Sequence, residues 1–362
     1  MDSPSTNEPS AEAVGVVTIG RNEGERLKRC LTSLIAQGAG PIVYVDSGST
    51  DGSVEFAKSL GIEVVNLDMS RPFTMPRGRN AGFERLMELY PSLTRVQFVD
   101  GDCEVDSQWI ERAKAALDAR PDAAVVCGFR RERHPEASIY NRLTDLEWLG
   151  PVGEIKACGG DAMYRTDVFR KVGGFNAAMI AGEEPELCVR IRREGYVILR
   201  IDAKMTLHDA NITKFSQWWK RTVRSGHASA EGMALHGFTP ERHKVKETLS
   251  ALVHGLVVPS LSLGALATLG AGAATGSPVL VVIGGGGLGV LFLFELRQAV
   301  RIYASRRARG DSPSDARLYT AFCMLGKVPE ALGVLKYAAN RLRGRRASII
   351  EYKGTPATAA AK

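Results

Sequence analysis

Carboxylates at the ends of apolar, strand-like runs are the first feature of this 362-residue sequence able to do chemistry. The run VYVDSGSTDGS ends its apolar part on Asp46, with Asp51 five residues on, and FVDGDCEVD places Asp100 and Asp102 astride Gly101. Hard divalent cations take oxygen ligands, and Mg2+ typically keeps one or two carboxylates and adds phosphate oxygens. Gly101 lets the backbone turn so that both carboxylates can face one crevice. A strand-end Asp46 can accept hydrogen bonds from a ribose or base, whereas Asp51 serves equally well as the N-cap of the next helix. Glu183 and Glu184 stand side by side before a helical run. Adjacent carboxylates raise each other's pKa, which suits one of them to general-base work, while acidic residues are also favoured at any helix N-terminus. His208 follows a further strand and is either a third metal ligand or a structural histidine.

Basic and small residues stand between these carboxylates. Arg77, Arg79 and Asn80 precede a helix, where guanidinium groups and free backbone N–H groups suit a phosphate or a pyrimidine carbonyl, or simply a solvated loop. Arg221 and Arg224, on the helix around QWWKRTVRSGHA, either reach a diphosphate or form a basic helix face. Gly159-Gly160 and Gly173-Gly174 read as close-approach turns. After the first strand there is only Gly20 and Gly24, not Gly-x-Gly-x-x-Gly, which disfavours a dehydrogenase-type dinucleotide site.

The elements that must hold these residues follow from periodicity. VGVVTI, PIVYVD, IEVV, RVQFVD, AAVVC and YVILRI are short, β-branched and almost continuously apolar, as strands buried on both faces are. Between them run helical patterns. Leu27, Leu31 and Leu34 share a face behind an acidic first turn at Glu23 and Glu25, and a helix over 109–119 follows the N-cap pair Asp106-Ser107. Such alternation predicts an α/β fold with a mostly parallel sheet, whose ligand crevice lies at the carboxyl ends of the strands.

Residues 252–272 contain no acid, Lys or Arg, and 278–294 form a second apolar run, of about 17 residues and carrying Gly284–Gly287. About 20 helical residues cross a bilayer core, so the first run qualifies and the second is short, with little tilt or a re-entrant path. A buried hairpin in a soluble domain is the alternative. From residue 297 onward fourteen basic residues face four acidic ones, so this tail accounts for the whole net charge of +7. A basic excess beside apolar runs points to a membrane surface and away from nucleic acid. Basic residues flank both ends of the apolar pair, as for a hairpin with both ends cytoplasmic. Pro329 opens an amphipathic helix with Leu332, Leu335, Ala339 and Leu342 on one face, lying in the interface or packed on the catalytic domain. Residues 1–13 read as a disordered lead-in without a signal sequence, and the final GTPATAAAK as a flexible tail. Six cysteines without a Cys-x-x-Cys pair predict neither a disulfide framework nor a zinc site.

Taken in order, VVTIGRNEGERLKRCLTSL, VYVDSGSTDGS, PRGRNAG, FVDGD, GGDAMYR with VGGF, and AGEEPELCVRIRREGY resemble the family 2 glycosyltransferases, inverting enzymes with a GT-A type domain, here of the membrane-associated bacterial type. The resemblance runs over about residues 14–230. It implies a GT-A domain at 14–245, apolar helices at 246–296 and a basic tail at 297–362. It implies Asp46, Asp51, Arg79, Asn80, Asp100, Arg221 and Arg224 on the nucleotide-sugar and Gly159, Gly160 and Asp161 on the acceptor. It further implies Mg2+ or Mn2+ on Asp102 and His208, and Glu184 as base with Glu183 beside it. Glu184 falls where the family carries Asp, a longer carboxylate than usual. QWWKRTVR lacks the Gln-x-x-Arg-Trp of processive synthases, which implies transfer of one sugar. The implied partners are a nucleotide-diphosphate sugar, a glycan or lipid-linked acceptor and the inner membrane, with the catalytic domain cytoplasmic. A nucleotidyltransferase of related topology and an inactive membrane-bound binding protein are the competing readings.

Overall fold

The computed structural model describes residues 13–345, with 348 and 350; the expected lead-in and final tail lie outside the described residues, Ala13 apart. The chain divides into two compact units, an α/β unit to Thr213 and a helical unit from Lys214.

Strands β1 (Val14–Gly20), β2 (Ile42–Asp46), β3 (Glu63–Asn66), β4 (Arg95–Asp100), β5 (Cys103–Val105), β6 (Ala123–Glu132), β7 (Gly153–Ile155), β8 (Ala162–Arg165) and β9 (Val197–His208) form one sheet. Its order is β3-β2-β1-β4-β8-β6-β9-β5, with β7 also on β9. The six strands read from the sequence all run one way: β1 to β4 pair in parallel, and β6 and β9 pair in parallel with each other. β6 shares the direction of β4 because β8 is antiparallel to both. The three short strands that periodicity did not show, β5, β7 and β8, run the other way. They are three or four residues long, and none carries an adjacent β-branched pair such as the Val64-Val65 of the equally short β3. All six parallel strands therefore deliver their carboxyl ends to one edge, where Asp46, Asp100, Glu132 and His208 stand.

Helices α1 (Glu25–Ala36), α2 (Ser53–Ser59), α3 (Met75–Leu89), α4 (Trp109–Ala119), α5 (Ile139–Trp148), α6 (Thr166–Lys171) and α7 (Glu183–Arg193) complete this unit. α1 buries Leu27, Leu31 and Leu34 as their spacing demands, and Cys30 with them. α3 starts before Arg77, so Arg77, Arg79 and Asn80 lie inside the helix and not ahead of it. Thr74 caps it by accepting from the Arg77 N–H, and Pro76 fits its first turn, where no N–H is needed. For α4 the cap residue is Gln108, while Asp106 accepts from the Gln108 N–H and shapes the turn before it.

The helical unit holds α8 (Phe215–His236), α9 (Val245–Leu252), a π turn (Val253–Val257), α10 (Val258–Thr275), α11 (Pro278–Ala308), α12 (Pro313–Leu325) and α13 (Lys327–Leu342). α8, expected within the nucleotide-sugar domain to residue 245, groups here instead. Among the described residues, three stretches are long and apolar enough to cross a membrane: Val245–Thr275, Pro278–Ala308 and Pro313–Leu342. The second is an uninterrupted 31-residue helix that carries the apolar run on through Arg297 and Arg301 to Ala308. At ~1.5 Å per residue the whole helix reaches about 46 Å, so its basic end extends past a ~30 Å bilayer core. Its glycines remain helical because Gly284 seats against the α10 backbone; a Cβ there would lie 2.5 Å from the Leu269 nitrogen. Away from that seam the side chains face outward, with Leu263 69% and Val282 71% exposed.

α13 turns the opposite way from a helix that buries its leucines. Pro329, Ala331, Gly333 and Val334 are buried, whereas Leu332, Leu335 and Leu342 are exposed. Small residues win the packed face because α8 comes too close for leucine. A Cβ on Gly226 would lie 2.0 Å from the Glu330 carbonyl, and one on Gly333 would lie 2.1 Å from the Val223 carbonyl. We expect Gly333→Ala to force the two helices apart at a cost of about 1–3 kcal/mol. Thermal unfolding in detergent checks this, and an unchanged midpoint would show the crossing to be slack.

Candidate active site

The first two strand-end loops are tied to each other. Asn22, in a left-handed conformation, receives the Thr50 N–H on its side-chain oxygen at 2.8 Å and donates its own N–H to Ser49 Oγ at 2.9 Å. Asp46 accepts from the Gly48 and Ser49 N–H groups, both at 2.8 Å, and from Tyr44 Oη at 3.0 Å. An ionised carboxylate has about four acceptor directions, so three are used to build this loop. Asp51 accepts from the Ser53 N–H at 3.1 Å in the turn ahead of α2, whose cap position is Gly52 and not Asp51.

The next group stands where β4, β6 and β9 end. Asp102 Oδ2 lies 3.2 Å from His208 Nε2, and the other ring nitrogen, Nδ1, faces Glu132 Oε2 at 3.6 Å. Glu132 is itself fixed by the Ala210 N–H at 3.1 Å. A carboxylate behind the far nitrogen of a histidine is how proteins orient an imidazole toward a metal. Cys103 lies in the same cluster, but burial, with Asp161 adding to it, pushes its thiol well above the usual range. The Asp102–His208 pair offers oxygen and nitrogen ligands, a set suited to a hard or borderline divalent cation. A second cluster, Asp100, Cys103 and Asp161, is already filled by a cation from the chain: Arg130 sits 2.7 Å from Asp161 and 3.3 Å from Asp100.

At the other side of Asp100 is a buried guanidinium. Arg79 binds Asp100 at 2.7 Å, Glu183 at 2.8 Å and Glu184 at 3.2 Å. Beneath it the Phe175 ring lies 5.5 Å away, part of a cluster with Phe98, Tyr164 and Phe169. Burial alone would raise the Asp100 carboxyl, but Arg79 and Arg130 together hold it below the usual range. For Glu184 the balance goes the other way. Burial first and Glu183 second outweigh Arg79, and its pKa is pushed up to about 7. Glu183 is 1% exposed and Glu184 15%, so only the second keeps access to a substrate.

Asp100, Asp102, His208, Glu183 and Glu184 are thus gathered as expected, and Gly160 with them. A Cβ on Gly160 would lie 2.5 Å from Arg79 Nη2, 3.0 Å from Asp100 Oδ2 and 3.2 Å from Glu184 Oε1. Gly159 is exposed with open space at its Cβ position. Three assignments need correction. Arg79 is spent on protein carboxylates and offers no hydrogen-bond fork to a nucleotide. Asn80 exchanges two hydrogen bonds with the Phe175 backbone, at 2.7 and 2.9 Å, and pins the VGGF turn. Asp161 is fully buried, accepting from the Asp100 N–H at 3.0 Å and Thr206 Oγ1 at 2.7 Å, so it supports the site without touching an acceptor. Arg221 and Arg224 lie on α8 in the helical unit. Arg130 and Glu132 were missed; the only signal was their place at the end of a strand in FRRERH.

Residues 15–173 match the family described as Glycosyl transferase family 2. The glycosyltransferase AglE of Haloferax volcanii is 24% identical over 225 residues, 59% of this chain and 71% of AglE. The succinoglycan biosynthesis protein ExoA of Rhizobium meliloti is 26% identical over 270 residues, 68% of this chain and 79% of ExoA. Among solved structures, the Pyrobaculum calidifontis mannosyltransferase PcManGT, in complex with GDP-Man and Mn2+, aligns with a TM-score of 0.54 and 18% identity, covering 88% of this chain and 86% of its own. That likeness is one of GT-A fold, and the family resemblance read from the sequence holds over residues 15–173.

The packing at Gly160 yields a direct test. Gly160→Ala should push Arg79, Asp100 and Glu184 apart by the width of a methyl group. Misplacement on that scale can cost about 10²-fold in turnover. Circular dichroism should stay native; a variant that folds and keeps full turnover would show the cluster is not held this tightly.

Proposed function

We infer, for a chain whose residues 15–173 are a family 2 glycosyltransferase domain, that it transfers one sugar from a nucleotide-diphosphate sugar to an acceptor hydroxyl with inversion. One observation carries this reading: Glu184, with a pKa near 7, shares a guanidinium with Asp100, two residues from the Asp102–His208 pair. A general base works best when its pKa lies near the working pH. In its ionised form Glu184 takes the proton of the acceptor hydroxyl, which attacks the anomeric carbon opposite the leaving diphosphate, and one displacement inverts that centre. Glu183 is sealed against Arg79 at 2.8 Å, so the proton goes to Glu184, which keeps a path outward. Asp102 and His208 are the residues that would hold Mg2+ or Mn2+. Six carboxylates (Asp100, Asp102, Glu132, Asp161, Glu183, Glu184) stand around the guanidinium groups of Arg79 and Arg130 and the His208 ring, an acidic excess that suits a further cation. When bound, that ion would stabilise charge developing on the leaving diphosphate. Asp46 and the Asn22–Thr50 loop form the nucleoside end, and Gly159 and Gly160 the acceptor end.

The exposed apolar helices, and a relative named as a succinoglycan biosynthesis protein, support a lipid-linked or membrane-proximal glycan acceptor. The basic residues flanking Val245–Thr275 and Pro278–Ala308 support both ends of that pair on the cytoplasmic side of the inner membrane.

The test is nucleoside diphosphate release across a panel of sugar nucleotides, with and without acceptor lipid extract. Glu184→Gln should lose about 10²–10⁴ in turnover while still binding nucleotide, and Glu183→Gln should lose less. Wild-type turnover should rise with pH through about 7, a limb absent from Glu184→Gln. Stability moves the other way: a carboxyl raised in the folded state loses stability as pH climbs from the ordinary carboxylate range to 7, and Glu184→Gln removes that loss. Asp102→Asn should weaken nucleotide-sugar binding, and excess chelator should mimic it. Normal turnover in Glu184→Gln with collapse in Glu183→Gln would reverse the two roles.

Sidedness has its own measurement. Ser277→Cys, in the turn between α10 and α11, should be labelled only from the face opposite that which labels Ser59→Cys and Ser305→Cys. Labelling of Ser59→Cys and Ser305→Cys from opposite faces would refute the hairpin.

A further inference from the structure

α5 ends on Trp148, a half-buried aromatic ring in a neighbourhood of charges. The Arg130 guanidinium carbon lies 5.4 Å from the ring centroid, and the His208 ring meets it edge-on at 4.8 Å and 84°. Arg130 is the residue that bridges Asp100 and Asp161, and His208 is the partner of Asp102. The ring therefore stands one side chain away from both groups on which the reaction depends.

The helix that carries it is anchored where precision matters. Asp145 receives two bonds from Arg131, both at 2.8 Å, and the Glu132 N–H at 3.0 Å. Asn141 accepts the Ile212 N–H at 2.9 Å and donates to the His134 carbonyl at 3.0 Å. Both ends of α5 are thus fastened to the ends of β6 and β9, which fixes Trp148 before any ligand arrives. The inter-element packing has no need of so large a ring left partly in water. A pre-positioned, partly wet aromatic face is a binding surface for a molecule that is polar at its rim and apolar on one face.

We propose that Trp148 is the stacking platform for a sugar ring of the acceptor, a reading that rests on the glycosyl-transfer function inferred above. Sheet order excludes the base of the nucleotide. The nucleoside loops follow β1 and β2, and β6 lies four strands from β2, about 19 Å at ~4.8 Å per strand. The chain that leaves Trp148 favours the acceptor over the donor sugar. It runs back along the first residues of β9 as β7 and returns to the strand ends at Gly159 and Gly160, the latter against Glu184. Asp100 stands between the ring and the base: Arg130, which touches the ring, bonds Asp100 at 3.3 Å, and the Gly160 Cβ position lies 3.0 Å from Asp100 Oδ2 and 3.2 Å from Glu184 Oε1, with open space at Gly159. An acceptor whose hydroxyl meets Glu184 would pass Asp100 with a ring on the indole. The C–H groups on one face of a pyranose carry partial positive charge and match the negative face of the indole.

The test uses the full-length chain in lipid nanodiscs, labelled with 5-fluorotryptophan. Four tryptophans give four fluorine resonances, and Trp148→Phe assigns the relevant one. The probes are methyl glucoside, mannoside, galactoside and N-acetylglucosaminide, each added with UDP or GDP and Mg2+. The expected result is a shift of the Trp148 resonance with at least one glycoside beyond the position it takes with nucleotide and Mg2+ alone. In turnover, Trp148→Ala should raise the acceptor KM about tenfold, equivalent to about 1.4 kcal/mol, with partial rescue by Trp148→Phe. No glycoside response beyond that to nucleotide and Mg2+, or an unchanged acceptor KM in Trp148→Ala, would each overturn the platform. If the wild type releases no nucleoside diphosphate from any donor but glycosides still shift the resonance, the transferase reading falls and the sugar platform stands.

Discussion

A single buried guanidinium, that of Arg79, holds together carboxylates from elements that have no other reason to meet. Asp100 ends a central strand, and Glu183 and Glu184 open a helix more than eighty residues later. Without a cation among them, three carboxylates in a site this poor in water would repel one another and take up protons. Arg79 is fixed from below by the Phe175 ring, and Asn80 beside it pins the turn from which that ring projects. One turn of α3 therefore sets both the position of the charge and the floor under it. The absence of a side chain at Gly160 follows from the same constraint, since any Cβ there would enter the cluster.

The asymmetry within the cluster is what makes it chemical. Arg79 lies closer to Glu183, which is sealed in, than to Glu184, which keeps a path outward. Two adjacent and identical residues are thereby set apart: Glu183 is sealed against the guanidinium, and burial lifts the Glu184 carboxyl to about 7. A parallel division is made by Arg130. It neutralises Asp100 and Asp161 and so leaves Asp102, with His208, as the place where an added cation gains most.

The helical unit obeys a different economy. Where α8 meets α13 and α10 meets α11, glycines let backbones touch, and close contact replaces side-chain burial. Large apolar residues are then left to point outward, which in water would be costly and in hydrocarbon is not.

Much was legible from the chain alone: the six parallel strands, the carboxylates at their ends and the apolar helices. Each depends on local pattern, a period of two, a run of β-branched residues or a strand followed by Asp. What pattern did not show was which polar residues face substrate and which serve other residues. Arg79 and Asn80 read as ligand-binding residues yet are consumed by partners about one hundred positions away. Asp161 reads as a residue of the acceptor loop yet is a buried brace for Asp100. The leucines of α13 read as facing either the membrane interface or the catalytic domain, and it is the close approach of α8 to the opposite face that leaves them outward. In every case the outcome hangs on how closely a distant segment approaches and how much water it excludes. Those two quantities set both hydrogen-bond partnership and pKa, and neither exists until the sheet and its helices are assembled.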